Sequence, residues 1–206
     1  MHRRLTAILF PVLLWQCLSE GQGQQQPPQS RPEPTLDQLH QAAVNGDKSA
    51  LRQLTMRGES GDVLVQNWLG LMYATGKGVP IDTALAMQWF RRGADQGDAA
   101  AQNNLGGMYA SGQGGPKNPA QAFYWFSKAA EQGYASAQRN LGAMYRDGNG
   151  VHMDFVAAYM WFDLAAKQGV ESARSARDRL EMHMTMEQIA DAKKLSKEWK
   201  PIRRKQ

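Results

Sequence analysis

The sequence predicts an all-α fold, a right-handed α-solenoid of helix–turn–helix repeats with a 36-residue period. Three observations lead there. First, unlike residues recur at one step: Leu69-Gly70, Leu105-Gly106 and Leu141-Gly142, then Tyr73, Tyr109 and Tyr145, then Trp89-Phe90, Trp125-Phe126 and Trp161-Phe162. Second, apolar residues within each unit fall at helical spacing. Third, glycines break these runs at the same step: Gly76, Gly112 and Gly148, Gly78, Gly114 and Gly150, and Gly97, Gly133 and Gly169. A single helix pair of this kind cannot bury both its faces, whereas stacked neighbours can.

The elements follow in chain order. Arg3 and Arg4 precede the apolar run LTAILFPVLLW (5–15), and small residues then stand at Cys17, Ser19, Gly21 and Gly23. That is the three-part form of a secretory signal, and the run is short of the ~20 apolar residues of a bilayer span. Residues 1–19 are expected to be a signal peptide, with cleavage after Ser19 or after Gly21. An uncleaved membrane anchor is one alternative. Acylation of Cys17 is another, weakened by Trp15 and Gln16 where bacterial lipoboxes have small residues. Cys17 is the only cysteine, so cleavage after Ser19 leaves no disulfide, thiol nucleophile or cysteine-ligated metal. Residues 20–35, EGQGQQQPPQSRPEPT, offer nothing to bury and predict an extended linker.

Residues 36–64 predict degenerate capping helices. LDQLHQAAVNGDKSALRQL echoes a second helix, a turn at Gly46 and the next first helix, and TMRGESGD then interrupts the register before Val63. Repeats are expected at 65–100, 101–136 and 137–172. In the middle one, Ala101, Leu105, Met108 and Tyr109 share a helix face, and SGQGGPKN ends it. Asn118 is placed to cap a second helix with Pro119 at its first position; Asp82 and Asp154 hold the same place. Ala122, Trp125, Phe126, Ala129 and Ala130 form the second apolar face, and Gly133 suits the left-handed residue that closes it. The Trp-Phe pairs, and the methionines at 72, 108 and 144, read as core. Gly106 costs ~1 kcal/mol against alanine inside a helix, so its recurrence beside leucine predicts close helix approach.

Residues 173–200 predict C-terminal capping helices. SARSARDRLEMHM lacks the Leu-Gly, and Thr185 with Gln188 forms a capping box. The helix it opens has Ile189, Ala192, Leu195 and Trp199 on one side. Residues 201–206 end a basic tail. Between 193 and 205 seven basic residues face Glu198 alone, a local charge of +6 against a net +5 for the chain. The high pI therefore describes the tail. Three readings of it stand: a solvated end, attraction to an anionic envelope surface, and nucleic acid, the last disfavoured by export and by the lack of stacking aromatics beyond Trp199.

A 36-residue unit of the form AQNNLGGMYASGQG…N…A…WFSKAAEQG resembles the Sel-one-like repeats, relatives of the tetratricopeptide repeats. The resemblance covers about 63–170 and implies a bacterial scaffold for protein–protein contacts, exported or envelope-associated, with no reaction of its own. The chain departs from it at Gly115-Pro116, where its sister units have Val79-Pro80 and Val151-His152. Some members of the family are rich in paired cysteines and have been connected with β-lactam binding. This chain lacks those cysteines and also lacks Ser-x-x-Lys and Lys-Thr-Gly, the source of a nucleophile and base.

Other chemistry is scarce. Thr75-Gly76-Lys77-Gly78 misses the phosphate-loop pattern, with Leu71 at the first glycine and Gly78 in place of the hydroxyl. Its sisters, Ser111-Gly112-Gln113-Gly114 and Asp147-Gly148-Asn149-Gly150, keep only the glycines. His2, His40, His152 and His183 are not spaced as metal ligands, and Asp82 and Asp154 serve as caps. No catalytic residue, metal or cofactor is expected. The resemblance to tetratricopeptide arrays puts ligand-facing positions on the concave face of the first helices: Asn67, Leu71 and Ala74; Asn103, Gly107 and Ala110; Arg139, Ala143 and Arg146. Two asparagines and two arginines there suit an extended peptide or a carboxylate; the competing reading is a solvated face. The expected partner is another protein or extended peptide, not nucleic acid, and the protein is expected to be a monomer in the bacterial periplasm or secreted. The alternative class is a structural or anchoring envelope component.

Overall fold

The computed structural model describes residues 33–202. The expected signal peptide, Cys17, most of the linker and the last basic residues lie outside the described residues. Those described form ten helices and no strand: α1 (Leu36–Val44), α2 (Lys48–Glu59), α3 (Val63–Thr75), α4 (Thr83–Asp95), α5 (Ala99–Ser111), α6 (Pro119–Glu131), α7 (Ala135–Asp147), α8 (Phe155–Lys167), α9 (Glu171–Glu181) and α10 (Met186–Glu198). From α3 to α8 consecutive helices pack on one another in an all-α solenoid. Each unit is a thirteen-residue helix, a seven-residue turn, a thirteen-residue helix and a three-residue turn, which is the origin of the 36-residue period.

The long turn opens on a left-handed glycine, Gly76, Gly112 or Gly148, at φ of 76°, 80° and 65°. It closes where the cap residue's N–H donates to a tyrosine carbonyl: Asp82 to Tyr73, Asn118 to Tyr109, Asp154 to Tyr145, each at 2.9 Å. The side chains of those caps accept from the N–H groups of Leu85, Gln121 and Ala157, satisfying donors that a helix start leaves open. The second glycine lets the turn lie on the preceding unit. A Cβ on Gly114 would sit 2.4 Å from the Thr83 carbonyl oxygen, and one on Gly150 2.4 Å from that of Pro119.

Within a unit, the glycine beside the recurrent leucine is a notch for a ring. A Cβ on Gly70, Gly106 or Gly142 would lie 2.5, 2.8 or 2.8 Å from Phe90, Phe126 or Phe162. Each neighbouring tryptophan reaches into the core cluster shared with the preceding unit, as Trp125 does with Ala86, Phe90 and Leu105.

A glutamine ladder joins successive units. Gln66, Gln102 and Gln138 are buried. Their Nε2 groups donate to the carbonyls of Gly58, Ala94 and Ala130 at 2.9, 3.1 and 3.3 Å. Their Oε1 atoms accept from Gln96, Gln132 and Gln168 at 2.8, 2.7 and 2.8 Å. This ladder corrects the reading of the N-terminal cap. Gly58 stands where Ala94 and Ala130 stand, so α2 has the second-helix role and α1 precedes it, the reverse of the order expected from Gly46. TMRGE, expected to break the register, continues α2, because Gly58 packs under Leu69 and Trp89. A glycine turn marks a boundary; only packing tells which helix comes before it.

At the other end α10 packs on α8, and Trp199 meets Trp161 edge to face with ring centres 5.8 Å apart. Ile189 and Ala192 are buried as expected, but Leu195 is 44% exposed and Ser196 faces inward in its place. Ser196 Oγ donates to the carboxylate of buried Asp163 at 2.6 Å. Lys167 Nζ at 2.7 Å and Arg177 Nη1 at 2.8 Å complete the cluster. Burial pushes the Asp163 carboxyl up, but hydrogen bonds from Lys167, Ser196 and Arg177 outweigh it and hold the group below the usual carboxylate range.

Candidate functional site: the face of the first helices

Side-chain hydrogen bonds set α3, α5 and α7 side by side. Asn104 Nδ2 donates to Asn67 Oδ1 and Asn140 Nδ2 to Asn103 Oδ1, both at 3.0 Å. The two asparagines expected to meet a partner thus also stitch neighbouring units.

Three clefts follow one another along this face. The first, of about 280 Å³, is lined by α1 and α3 with the turn after α3, including His40, Leu71, Thr75 and Lys77. His40 stacks on Trp68 with ring centres 4.3 Å apart, and burial lowers its pKa. The second, of about 330 Å³, shares Leu71 and adds Ala74, Asn103, Asn104, Gly107 and Asn140. No charged side chain lines it. Leu71 is 41% exposed, and a Cβ on Gly107 would meet nothing within 4 Å. The third, of about 310 Å³, lies between α7 and α9 and is lined by Arg139, Ala143, Arg146, Ser172, Ser175 and Arg179.

Of the nine positions expected to face a ligand, Leu71, Ala74, Asn103, Gly107, Arg139, Ala143 and Arg146 line these clefts, while Asn67 and Ala110 do not. Arg139 Nη1 donates to Asn140 Oδ1 at 3.0 Å. Arg146 makes a two-pronged pair with Asp147 at 2.7 and 2.8 Å, and those bonds hold the Asp147 carboxyl below its usual range. Arg139 and Arg179 make no ion pair among the described residues.

Sequence reasoning missed Ser172, Ser175 and Arg179, although a signal for two of them existed. One more 36-residue step carries Arg139 to Ser175 and Ala143 to Arg179. The step was hidden because Leu141-Gly142 becomes Arg177-Asp178, which erases the motif while the helix persists.

Elsewhere, Thr75-Gly76-Lys77-Gly78 is a turn packed on α1, where a Cβ on Gly78 would lie 2.0 Å from the Ala43 carbonyl oxygen. His152 lines a cavity of about 460 Å³ with Tyr145, Met153, Phe155 and Gln188. Among the described residues no three His, Cys, Asp or Glu side chains gather as metal ligands do, and no helix is long and apolar enough to cross a membrane.

The Sel1 repeat matches three times in tandem, at 63–98, 99–134 and 135–170, more than half of the chain. The chain belongs to the Sel1 repeat family. Two solved structures resemble this Sel1 repeat protein. One is c5321, described as a protective antigen present in uropathogenic Escherichia coli strains displaying an SLR fold. It is 34% identical with a TM-score of 0.71, over 80% of this chain and 37% of that one. The other is a Sel1 repeat protein from Oxalobacter formigenes, 32% identical with a TM-score of 0.63, over 69% of this chain and 58% of that one. The match thus spans less than two thirds of either neighbour's length. No curated protein matches the chain in sequence.

Proposed function

We propose that this Sel1 repeat protein is a non-catalytic, exported scaffold that binds an extended segment of another protein along α3, α5, α7 and α9. Sel1 repeats typically serve as scaffolds for protein–protein contacts. The observation that carries the reading is the middle cleft. Its floor is bare backbone at Gly107 with open space above it, beside the exposed Leu71. An exposed apolar side chain beside a gap flanked by amide groups suits a peptide's apolar and backbone groups together. Export rests on the charged, apolar and small-residue order of residues 1–23.

The test is capture of a partner from the native source with the full chain, compared with Gly107→Trp and Leu71→Arg. Both variants are expected to lose the captured protein while keeping the wild-type circular dichroism spectrum. Capture unchanged by both removes this face from the function. Mass spectrometry of the N-terminus decides export: a start at Glu20 or Gln22 supports a released protein, whereas a lipid on Cys17 makes it an anchored one.

A further inference from the structure

We infer that the cleft between α7 and α9 takes a carboxylate of the bound segment and so fixes which way that segment runs along the face. The inference rests on the protein-binding reading and adds to it a chemistry and a direction.

Arg139, Arg146 and Arg179 line one cleft of about 310 Å³, with Ser172 and Ser175 beside them. Only Arg146 has a carboxylate partner among these three, the adjacent Asp147. The Arg139 guanidinium is held at one nitrogen by Asn140, which orients it and leaves its other N–H groups available. A guanidinium fork fixed in this way suits a carboxylate, whose two oxygens match parallel N–H donors. Neither serine hydroxyl is engaged in a side-chain hydrogen bond among the described residues, so both can donate to the same anion.

Charge along the groove argues for a protein segment over a membrane or anionic polymer. The neighbouring cleft, reached across Asn140, carries no charged side chain and contains Leu71, Ala74 and Gly107. A repeating polyanion or a lipid surface asks for positive charge along the whole path. Here three arginines stand at one end and Lys77 at the other, with no charged side chain in the cleft between. First helices packed about 10 Å apart set α3 and α9 about 30 Å apart, the length of roughly nine extended residues. A segment with apolar residues over Leu71 and Gly107 therefore places its acidic residue, or its C-terminal carboxyl group, between Arg139 and Arg179.

The test starts from random decapeptides with free C-termini, selected on the full chain and measured by fluorescence anisotropy. Selected peptides are expected to carry Asp or Glu at a fixed place relative to their apolar residues, or to require a free terminus. Amidation of the terminus distinguishes these two sources. Arg139→Gln and Arg179→Gln should each weaken binding about tenfold or more. Asp147→Asn, which releases Arg146, should strengthen it. Peptides without acidic enrichment that still fail on Gly107→Trp overturn the carboxylate and leave the protein-binding reading intact. No selectable peptide, or peptides indifferent to Gly107→Trp, overturn both. Binding of phosphatidylglycerol vesicles through Arg139 and Arg179, with no acidic peptide retained, overturns the inference in favour of a membrane anion.

Discussion

The joints between repeats and the joint at the C-terminal end do the same task with different chemistry. Between units, a buried glutamine donates to a backbone carbonyl and accepts from a second, more exposed glutamine. Between α8, α9 and α10, a buried carboxylate collects a lysine, an arginine and a serine. The interior joint can be copied, because it needs only a helix end and the next unit. The terminal joint has no next unit, and it fixes α10 in place of one. Its ionic bonds are directional but depend on pH, whereas the glutamine pair does not titrate. The difference teaches that regularity along the solenoid is a property of neutral packing, and that the one-off closure is where charge enters.

The sharpest way to break the interior pattern is to fill its notch. A leucine at Gly106 puts its Cβ 2.8 Å from the buried Phe126 ring. Overpacking of that kind should cost about 3 kcal/mol, read as a lower urea midpoint. Gly107 is the control one residue away. With nothing within 4 Å of its Cβ, Gly107→Ala should raise stability by about 1 kcal/mol through helix propensity. Equal effects at the two glycines would mean that the ring does not hold the notch.

The terminal joint is broken at Asp163. Asp163→Asn leaves Arg177 and Lys167 without their shared carboxylate. Because the lysine is more than half exposed, the loss should fall below that of a fully buried pair, at about 2 kcal/mol. The wild-type carboxyl titrates below its unfolded value of about 3.9. Its contribution is therefore present above about pH 4 and is lost as pH falls through the lower folded value. Acidification should detach α10 first, read as a change in Trp199 fluorescence while helicity from the repeats persists. The Asn variant should show that change already at neutral pH and no further acid step. Loss of all helicity in one step would merge the two regions into one cooperative unit.

The repeats were legible because their core uses rare residues at fixed places: Trp, Phe and Tyr at one step fix the period, while the units expected from 65, 101 and 137 begin two residues earlier, at Val63, Ala99 and Ala135. The caps Asp82, Asn118, Asp154 and Thr185 were legible for a local reason, since each bonds within its own first turn. The terminal cluster was not. Asp163 sits beside Phe162 in a motif that marks core, and two of its three partners lie 14 and 33 residues away in helices outside the repeat. Leu195 looked like the buried residue because apolar spacing cannot weigh a carboxylate waiting for a hydroxyl. In the groove, seven of the nine positions carried over from tetratricopeptide arrays line the clefts, but α9 was not legible, because its leucine and glycine had become Arg177 and Asp178. The glutamine ladder recurs at the same 36-residue step as the aromatics. It went unread because glutamine is ordinarily a surface residue.

That ladder supplies the smallest break, and the one that most sharpens the contrast. Gln102→Leu removes the Nε2 bond to Ala94 and the acceptor of Gln132 at similar volume. Neither partner is stranded. The Ala94 carbonyl still accepts from the Gly97 N–H at 2.9 Å, and Gln132 Nε2 still reaches the Lys128 carbonyl at 3.2 Å. The cost should therefore be about 1 kcal/mol, unchanged between about pH 2 and pH 8 and insensitive to salt. The measurement is the urea midpoint of Gln102→Leu beside that of Asp163→Asn across that range. A pH-dependent loss at Gln102 would show that the interior joint leans on charge after all, and the distinction between copied and terminal joints would fall with it.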